Sequence, residues 1–160
     1  MVEAPTRGKC DAMYRTILVA LENSPVDATI LRHIQPLARL TGGRLILVHV
    51  ADGFAARNQE QLDLEDSEEI RADRAYLEKC GEELSRAGLE VQTVLACGNP
   101  AEQILAIVER EQCDLIAMAT HGHRFIKDVL LGSVADAVRH RTDIPVLLVR
   151  APAGPERPRR

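Results

Sequence analysis

The chain has 160 residues, a length typical of one domain with a single sizeable core. Hydrophobic residues make up 46% of it but aromatic residues only 2%, so the core must be filled by aliphatic side chains. The net charge of −4 argues against non-specific nucleic-acid binding, which needs a basic surface.

The sequence contains no evident targeting or membrane segment. Residues 1–13 lack the apolar stretch of a signal peptide, and no apolar run approaches the length of a membrane span. The cysteines are scattered, without the CxxC spacing of a zinc or redox motif: Cys10, Cys80, Cys97 and Cys113. We therefore expect a cytoplasmic protein with free thiols that binds neither membrane nor nucleic acid.

The first two predicted strands enclose a helix. The apolar runs at residues 15–21 and 45–50 are typical of strands covered on both faces. Between them, Ser24 as N-cap and Pro25 at the first helical position predict a helix start, and Gly42 predicts its end.

The apolar residues of this first helix recur at helical spacing: Val26, Ile30, Ile34, Leu37 and Leu40. Pro36 lies among them, and a proline inside a helix removes a hydrogen bond and clashes with the preceding turn. We expect a bend near Arg32 or a break in the helix.

A long helix is predicted after the second strand. Residues 51–64 are a polar connector, and residues 64–87 are amphipathic, with these apolar positions: Ile70, Ala75, Leu77, Cys80 and Leu84. The acidic segment 57–74 is interpreted as solvated surface, with a docking surface for a basic partner as the alternative. His49, inside the second strand, is interpreted as a hydrogen-bonded core residue.

The second half of the chain continues the alternation. Polar and apolar residues alternate over 90–96, which suits a strand near the sheet edge. Asn99 as cap and Pro100 at the first position predict the next helix, with this buried stripe: Ala101, Ile104, Leu105 and Val108. A fourth strand at 114–118, a helix ending near residue 140 and a last strand at 145–150 complete the chain.

Strands that alternate with helices predict an α/β fold of three layers, with a five-stranded parallel sheet between two layers of helices. In the strand order 3-2-1-4-5, the order reverses between the first and fourth strands, and ligands of such sheets bind beyond the carboxyl ends at that point. Glu22 follows the first strand, and Ala119 and Thr120 follow the fourth. The sequence therefore predicts a ligand crevice between them.

The stretch from Ala119 to Val134 leads from the fourth strand into the last helix. Gly132 and Ser133 lie at the predicted helix start, where free N–H groups and the helix dipole favour an anion. Glycine lets the backbone approach a phosphate, and Ser133 can donate its hydroxyl. The alternative is an ordinary helix entry. Arg124 and Lys127 either add positive charge for a triphosphate or are solvated.

Few residues suggest a metal or catalysis. His121 and His123 are spaced to chelate a metal, but no third ligand lies near them in sequence, so we expect none. There is no GxGxxG or Walker loop, no Gly-x-Ser-x-Gly elbow and no nucleophile with an obvious base. We therefore expect any hydrolysis to be slow.

The stretch resembles the signature of the universal stress protein family: glycine, two residues, glycine, nine residues, glycine, then Ser or Thr. Gly122, Gly132 and Ser133 match it with the nine-residue interval intact, while Ala119 replaces the first glycine. The likeness covers residues 14–150, which we expect to be the domain. Disordered ends are expected at 1–13 and 151–160.

The resemblance implies the fold of the adenine nucleotide alpha hydrolases and binding of ATP or a related adenine nucleotide, with or without Mg²⁺. It implies that Glu22, where the family usually has Asp, contacts ribose and that the Val50 backbone contacts adenine. The residues implied for ribose and phosphates are Ala119, Gly122, Gly132, Ser133 and Val134. A homodimer through residues 145–150 and a role in stress response or signalling are implied as well.

Two other functions fit the same residues. Ala119 and Glu22 would also mark a family member that has lost nucleotide and acts as a dimeric interaction protein. A slow ATPase or autophosphorylating enzyme would instead use Ser133 or Thr120 as phosphate acceptor.

Overall fold

Strands and helices alternate along residues 13–51, 68–120 and 133–152, the parts of the chain that the structure, a computed structural model, describes. The strands are β1 (Thr16–Leu21), β2 (Arg44–Ala51), β3 (Val91–Cys97), β4 (Leu115–Thr120) and β5 (Val146–Arg150). The helices are α1 (Asp27–Thr41), α2 (Glu68–Arg86), α3 (Pro100–Glu111) and α4 (Ser133–His140). The predicted connector, most of the glycine loop and most of both expected disordered ends lie outside the described residues.

The five strands form one parallel sheet in the order β3-β2-β1-β4-β5, which confirms the predicted topology. β1 is central: Leu21 pairs with His49 of β2, and Ala20 pairs with Met118 of β4. β3 and β5 lie at the two edges. The edge position predicted for the third strand is therefore confirmed.

Helices cover both faces of the sheet, which is why the central strands read as continuous apolar runs. Alternate strand residues point to opposite faces. The α1–α2 core contains Ile17, Val19, Leu45, Leu47, Ile30, Ile34, Leu77 and Leu84. The α3–α4 core contains Leu18, Ile46, Val48, Ile116, Ile104, Ile107, Ala135 and Val138.

The start of α1 differs from the prediction. The helix begins at Asp27, Val26 occupies the cap position without a side-chain hydrogen bond, and Pro25 precedes the helix. The physical reason is that the Asp27 carboxylate accepts hydrogen bonds from the N–H groups of Glu22 and Ser24, so the loop folds around Asp27. The Ser24 hydroxyl oxygen is buried and has no hydrogen-bond partner among the described residues.

Two further features of α1 differ from the prediction. The helix runs unbroken from Asp27 to Thr41 with Pro36 inside it, so the expected alternative of a break is wrong, while the bend near Arg32 stays a prediction. Leu40 is 84% exposed, and Ala38 is buried in its place. The side chain of Leu40 lies in the last turn of the helix, where it does not reach the α1–α2 core.

The later helices agree more closely with the predictions made from the sequence. Asn99 caps α3 as predicted, because its side chain accepts a hydrogen bond from the N–H of Glu102 at 3.2 Å. In α2 the predicted stripe is buried except for Ala75, which is exposed. In α3 Ile107 is buried at 2% exposure, and Leu105, expected in the stripe, is half-buried.

The described cysteines are not paired in disulfides, as expected: Cys80, Cys97 and Cys113. Burial raises the pKa of the Cys113 thiol to about 11, so this thiol stays protonated near neutral pH. In the described part of the chain, no helix has both the length and the apolarity needed to cross a membrane.

Candidate functional site

The predicted crevice lies where the strand order reverses beside β1. β1 pairs with β2 on one side and with β4 on the other. The register sets Ala20 opposite Met118, so the chain leaves β1 at Glu22 beside the last residues of β4, Ala119 and Thr120. The structure therefore brings together the two carboxyl ends that the sequence predicts as a ligand site.

The other predicted site residues differ in burial and in the core against which they pack. Val50 and Val134 are half-buried and pack against the α3–α4 core, whereas Ala119 packs against the α1–α2 core. Ser133 is exposed at the first position of α4. Gly122 and Gly132 lie outside the described residues, as do other loop residues singled out from sequence: His121, His123, Arg124 and Lys127.

Asp27 organises the segment between β1 and α1. Its side chain is 1% exposed, and it accepts hydrogen bonds from the N–H of Glu22 at 3.0 Å and of Ser24 at 3.2 Å. Two backbone donors and a carboxylate at a helix N-terminus make a favourable charge-assisted arrangement. The backbone that carries Glu22 is therefore fixed from the helix side.

Tyr76 of α2 completes the surroundings of Asp27. Its hydroxyl donates to the Asp27 carboxylate at 2.7 Å. Burial, followed by the hydrogen bond to Asp27, raises the pKa of Tyr76 well above its ordinary value. Tyr76 therefore keeps its proton and remains a donor to Asp27 over the physiological pH range.

A second cluster of polar side chains lies at the ends of β1 and β2. His49 is buried, with Nδ1 2.9 Å from the carbonyl oxygen of Leu21 and Nε2 3.2 Å from Oδ2 of Asp73. Asn23 donates its side-chain amide to Oδ1 of Asp73 at 2.8 Å. The interpretation of His49 as a hydrogen-bonded core residue is confirmed.

Sequence reasoning missed Asp27, Asp73 and Tyr76. Their positions carried a signal, because Asp27 precedes Ile30 by three residues and Asp73 lies between Ile70 and Leu77 on the buried stripes of their helices. A carboxylate at a buried helical position requires hydrogen-bond donors. Which donors reach it depends on the packing of α2 against the loop.

A cavity of about 450 Å³ lies between α1 and α2 and is bordered by Ser24 and Tyr76. It adjoins the β1–α1 loop from the helix side, and none of the described residues predicted for the ligand site lines it. Within the described ranges, no cluster of three His, Cys, Asp or Glu side chains is arranged to hold a metal. This cavity is therefore distinct from the predicted ligand crevice.

Comparison with known proteins gives consistent matches. The profile of the Universal stress protein family matches residues 13–150. The universal stress protein MJ0577 of Methanocaldococcus jannaschii is 30% identical over 155 residues, covering 86% of this chain and 96% of the relative.

Solved structures share the fold. That of MJ0577 superposes with a TM-score of 0.71 at 29% identity, covering 89% of this chain and 99% of that chain. A universal stress protein from Archaeoglobus fulgidus in complex with dAMP has a TM-score of 0.63 at 22% identity, covering 86% and 98%. The structure of a universal stress protein in complex with cAMP has a TM-score of 0.65 at 19% identity, also covering 86% of this chain and 98% of that chain.

Proposed function

The chain belongs to the universal stress protein family, and we propose that it binds an adenine nucleotide in the crevice between β1 and β4. ATP, with or without Mg²⁺, is the proposed ligand. The observation that carries the proposal is the reversal of strand order at β1, because ligands of open α/β sheets bind at that point. The dAMP and cAMP complexes of two relatives support the adenine class.

Each part of the nucleotide has its own proposed partners. Glu22, exposed after β1, accepts hydrogen bonds from the ribose hydroxyls, and the backbone of Val50 contacts adenine. The residues proposed to contact ribose and phosphates run from the end of β4 into α4: Ala119, Gly122, Gly132, Ser133 and Val134.

The described charges are compatible with a phosphate group. Ser133 is the exposed first residue of α4, and the first N–H groups of a helix have no partner within it and carry partial positive charge. The carboxylates of Asp27 and Asp73 are buried and already accept hydrogen bonds from the protein. The protein donors directed at these carboxylates offset part of their negative charge.

We propose a nucleotide-dependent role in stress response or signalling, in a cytoplasmic homodimer, without fast catalysis. His49 is a buried imidazole beside the crevice. Its Nδ1 faces the carbonyl oxygen of Leu21, and its Nε2 faces the carboxylate of Asp73. It is therefore not free to act as a general base.

Calorimetric titration with ATP tests this function. We expect heat of binding and a raised Tm at millimolar ATP, since a ligand at about 100 times its Kd stabilises the folded state by ~2.7 kcal/mol. Gly132→Val should abolish both effects, because side-chain atoms would enter the space proposed for phosphate. Ala106→Val, on the exposed side of α3, is the matched control and should bind like the wild type.

The methyl group of Ala119 favours a second candidate, a dimeric interaction protein without nucleotide. Purification without nucleotide, with neither heat nor a change in Tm on adding ATP, would contradict our proposal and support this one. Phosphate release by the wild type above that of Gly132→Val would instead indicate a slow ATPase.

A further inference from the structure

The segment from Leu21 to Ser24 is held by α2 as well as by its own neighbours. Asp27 accepts from the N–H of Glu22 and Ser24 on one side. On the other side, Asp73 of α2 binds the side chain of Asn23 and the ring of His49. All of these contacts surround the residues that lead out of β1 into the crevice.

His49 joins the ends of β1 and β2 to this network. The Leu21 carbonyl can only accept, so Nδ1 donates to it at 2.9 Å. Nε2 lies 3.2 Å from Oδ2 of Asp73, whose other carboxylate oxygen accepts from Asn23.

The described side chains next to His49 in the sheet offer no polar group to its ring. In register, His49 lies between Leu21 of β1 and Leu95 of β3, both apolar. Glu22 is exposed beyond the end of β1, and Asp73 is the buried carboxylate in contact with the ring.

Asn23 depends on this network for its conformation. Its backbone is left-handed, with φ of 56°. Asn tolerates this region better than most residues, but it needs surrounding contacts to hold it there. The bond to Asp73 supplies such a contact. Since Asn23 follows Glu22 directly, the direction of the Glu22 backbone is set with it.

We propose that His49, Asp73 and Asn23 form a positioning network that fixes the β1–α1 loop at the nucleotide crevice. The consequence for ligand binding rests on the function proposed above. In this arrangement α2, which contributes no predicted ligand contact, determines where Glu22 lies.

Three variants test the network. Asp73→Ala removes the carboxylate that contacts both His49 and Asn23. Asp73→Asn keeps the shape, and its amide oxygen can still accept from Asn23. Asn23→Gly loses only the link to Asp73 and tolerates the positive φ without strain.

Two measurements on the full chain then follow. Hydrogen exchange at the Glu22 and Ser24 amides should be faster by about tenfold in Asp73→Ala and Asn23→Gly, equal to ~1.4 kcal/mol of lost protection. ATP affinity should fall by about tenfold in the same two variants and be largely restored in Asp73→Asn.

The outcomes separate this inference from the proposed function. Unchanged loop exchange in Asn23→Gly or in Asp73→Ala would overturn the network. If the wild type bound no ATP while the exchange changed as expected, the network would stand and the nucleotide function would fall. Exchange at buried amides of β4 reports whether each variant is folded.

Discussion

Tyr76 and Asp27 form a pair whose loss should be measurable at the scale of single residues. Tyr76→Phe leaves the buried Asp27 carboxylate without a donor that lies 2.7 Å away in the wild type. We expect a loss of about 1–3 kcal/mol in the free energy of unfolding, because a hydrogen bond to a charged group is lost while only the amides of Glu22 and Ser24 still donate to it. Urea denaturation near neutral pH measures it, and an unchanged midpoint would contradict the role of the pair.

The same residue gives a pH dependence with a definite sign. Folded Tyr76 keeps its proton above pH 10, whereas an unfolded tyrosine ionises at about pH 10. The unfolded state then binds fewer protons, so this contribution to stability is complete below pH 10 and is lost as the pH rises further. The alkaline decline should be smaller in Tyr76→Phe than in the wild type.

At the scale of helices and strands, two cap positions that look alike in sequence should behave differently. Asn99 accepts a hydrogen bond from Glu102 N–H, whereas the Ser24 hydroxyl oxygen has no described partner. Asn99→Ala should therefore destabilise the protein by about 1 kcal/mol, and Ser24→Ala by nearly nothing. Comparing their denaturation midpoints makes each variant the control for the other. Equal losses would contradict this assignment of caps.

The strands and most helices were predictable because their signals are local. Continuous apolar runs in β1, β2 and β4 reflect burial on both faces, and Asn99 with Pro100 marks the start of α3. The start of α1 was not predictable in this way. The Asp27 carboxylate accepts from the N–H groups of Glu22 and Ser24 and so shapes the loop before the helix, and it is held in turn by Tyr76, far away in sequence.

The same contrast between local signals and long-range contacts applies to the candidate site. Glu22 and Ala119 were predictable because strand order alone brings the ends of β1 and β4 together. The contacts of Asp73 with His49 and Asn23 were not, since they join residues 24 and 50 positions apart in sequence. Such contacts follow from the packing of α2, which no motif encodes.

At the scale of the whole molecule, the exposed edge at β5 bears on assembly. Its apolar residues are only half-buried in one chain: Val146, Leu147, Leu148 and Val149. We expect a dimer in which two β5 edges pair, because an apolar edge strand favours pairing with a second chain. Light scattering at micromolar concentration should report the dimer for the wild type and a monomer for Leu148→Glu.

The matched control for that experiment is Leu40→Glu. Leu40 is already 84% exposed on α1, so the same charge there should leave assembly unchanged. A monomeric wild type, or a Leu148→Glu variant that is folded and still dimeric, would contradict pairing through β5.

The central place of β1 also has a consequence for synthesis on the ribosome. Residues up to Cys97 contain three neighbouring strands together with α1 and α2, so one half of the sheet can pair before β4 exists. The other face of those strands, with Leu18, Ile46 and Val48, packs against α3 and α4, which are translated later. A nascent chain at this stage exposes an aliphatic surface that favours aggregation. Molecular chaperones that recognise such surfaces can bind it until α3 and α4 have been synthesised.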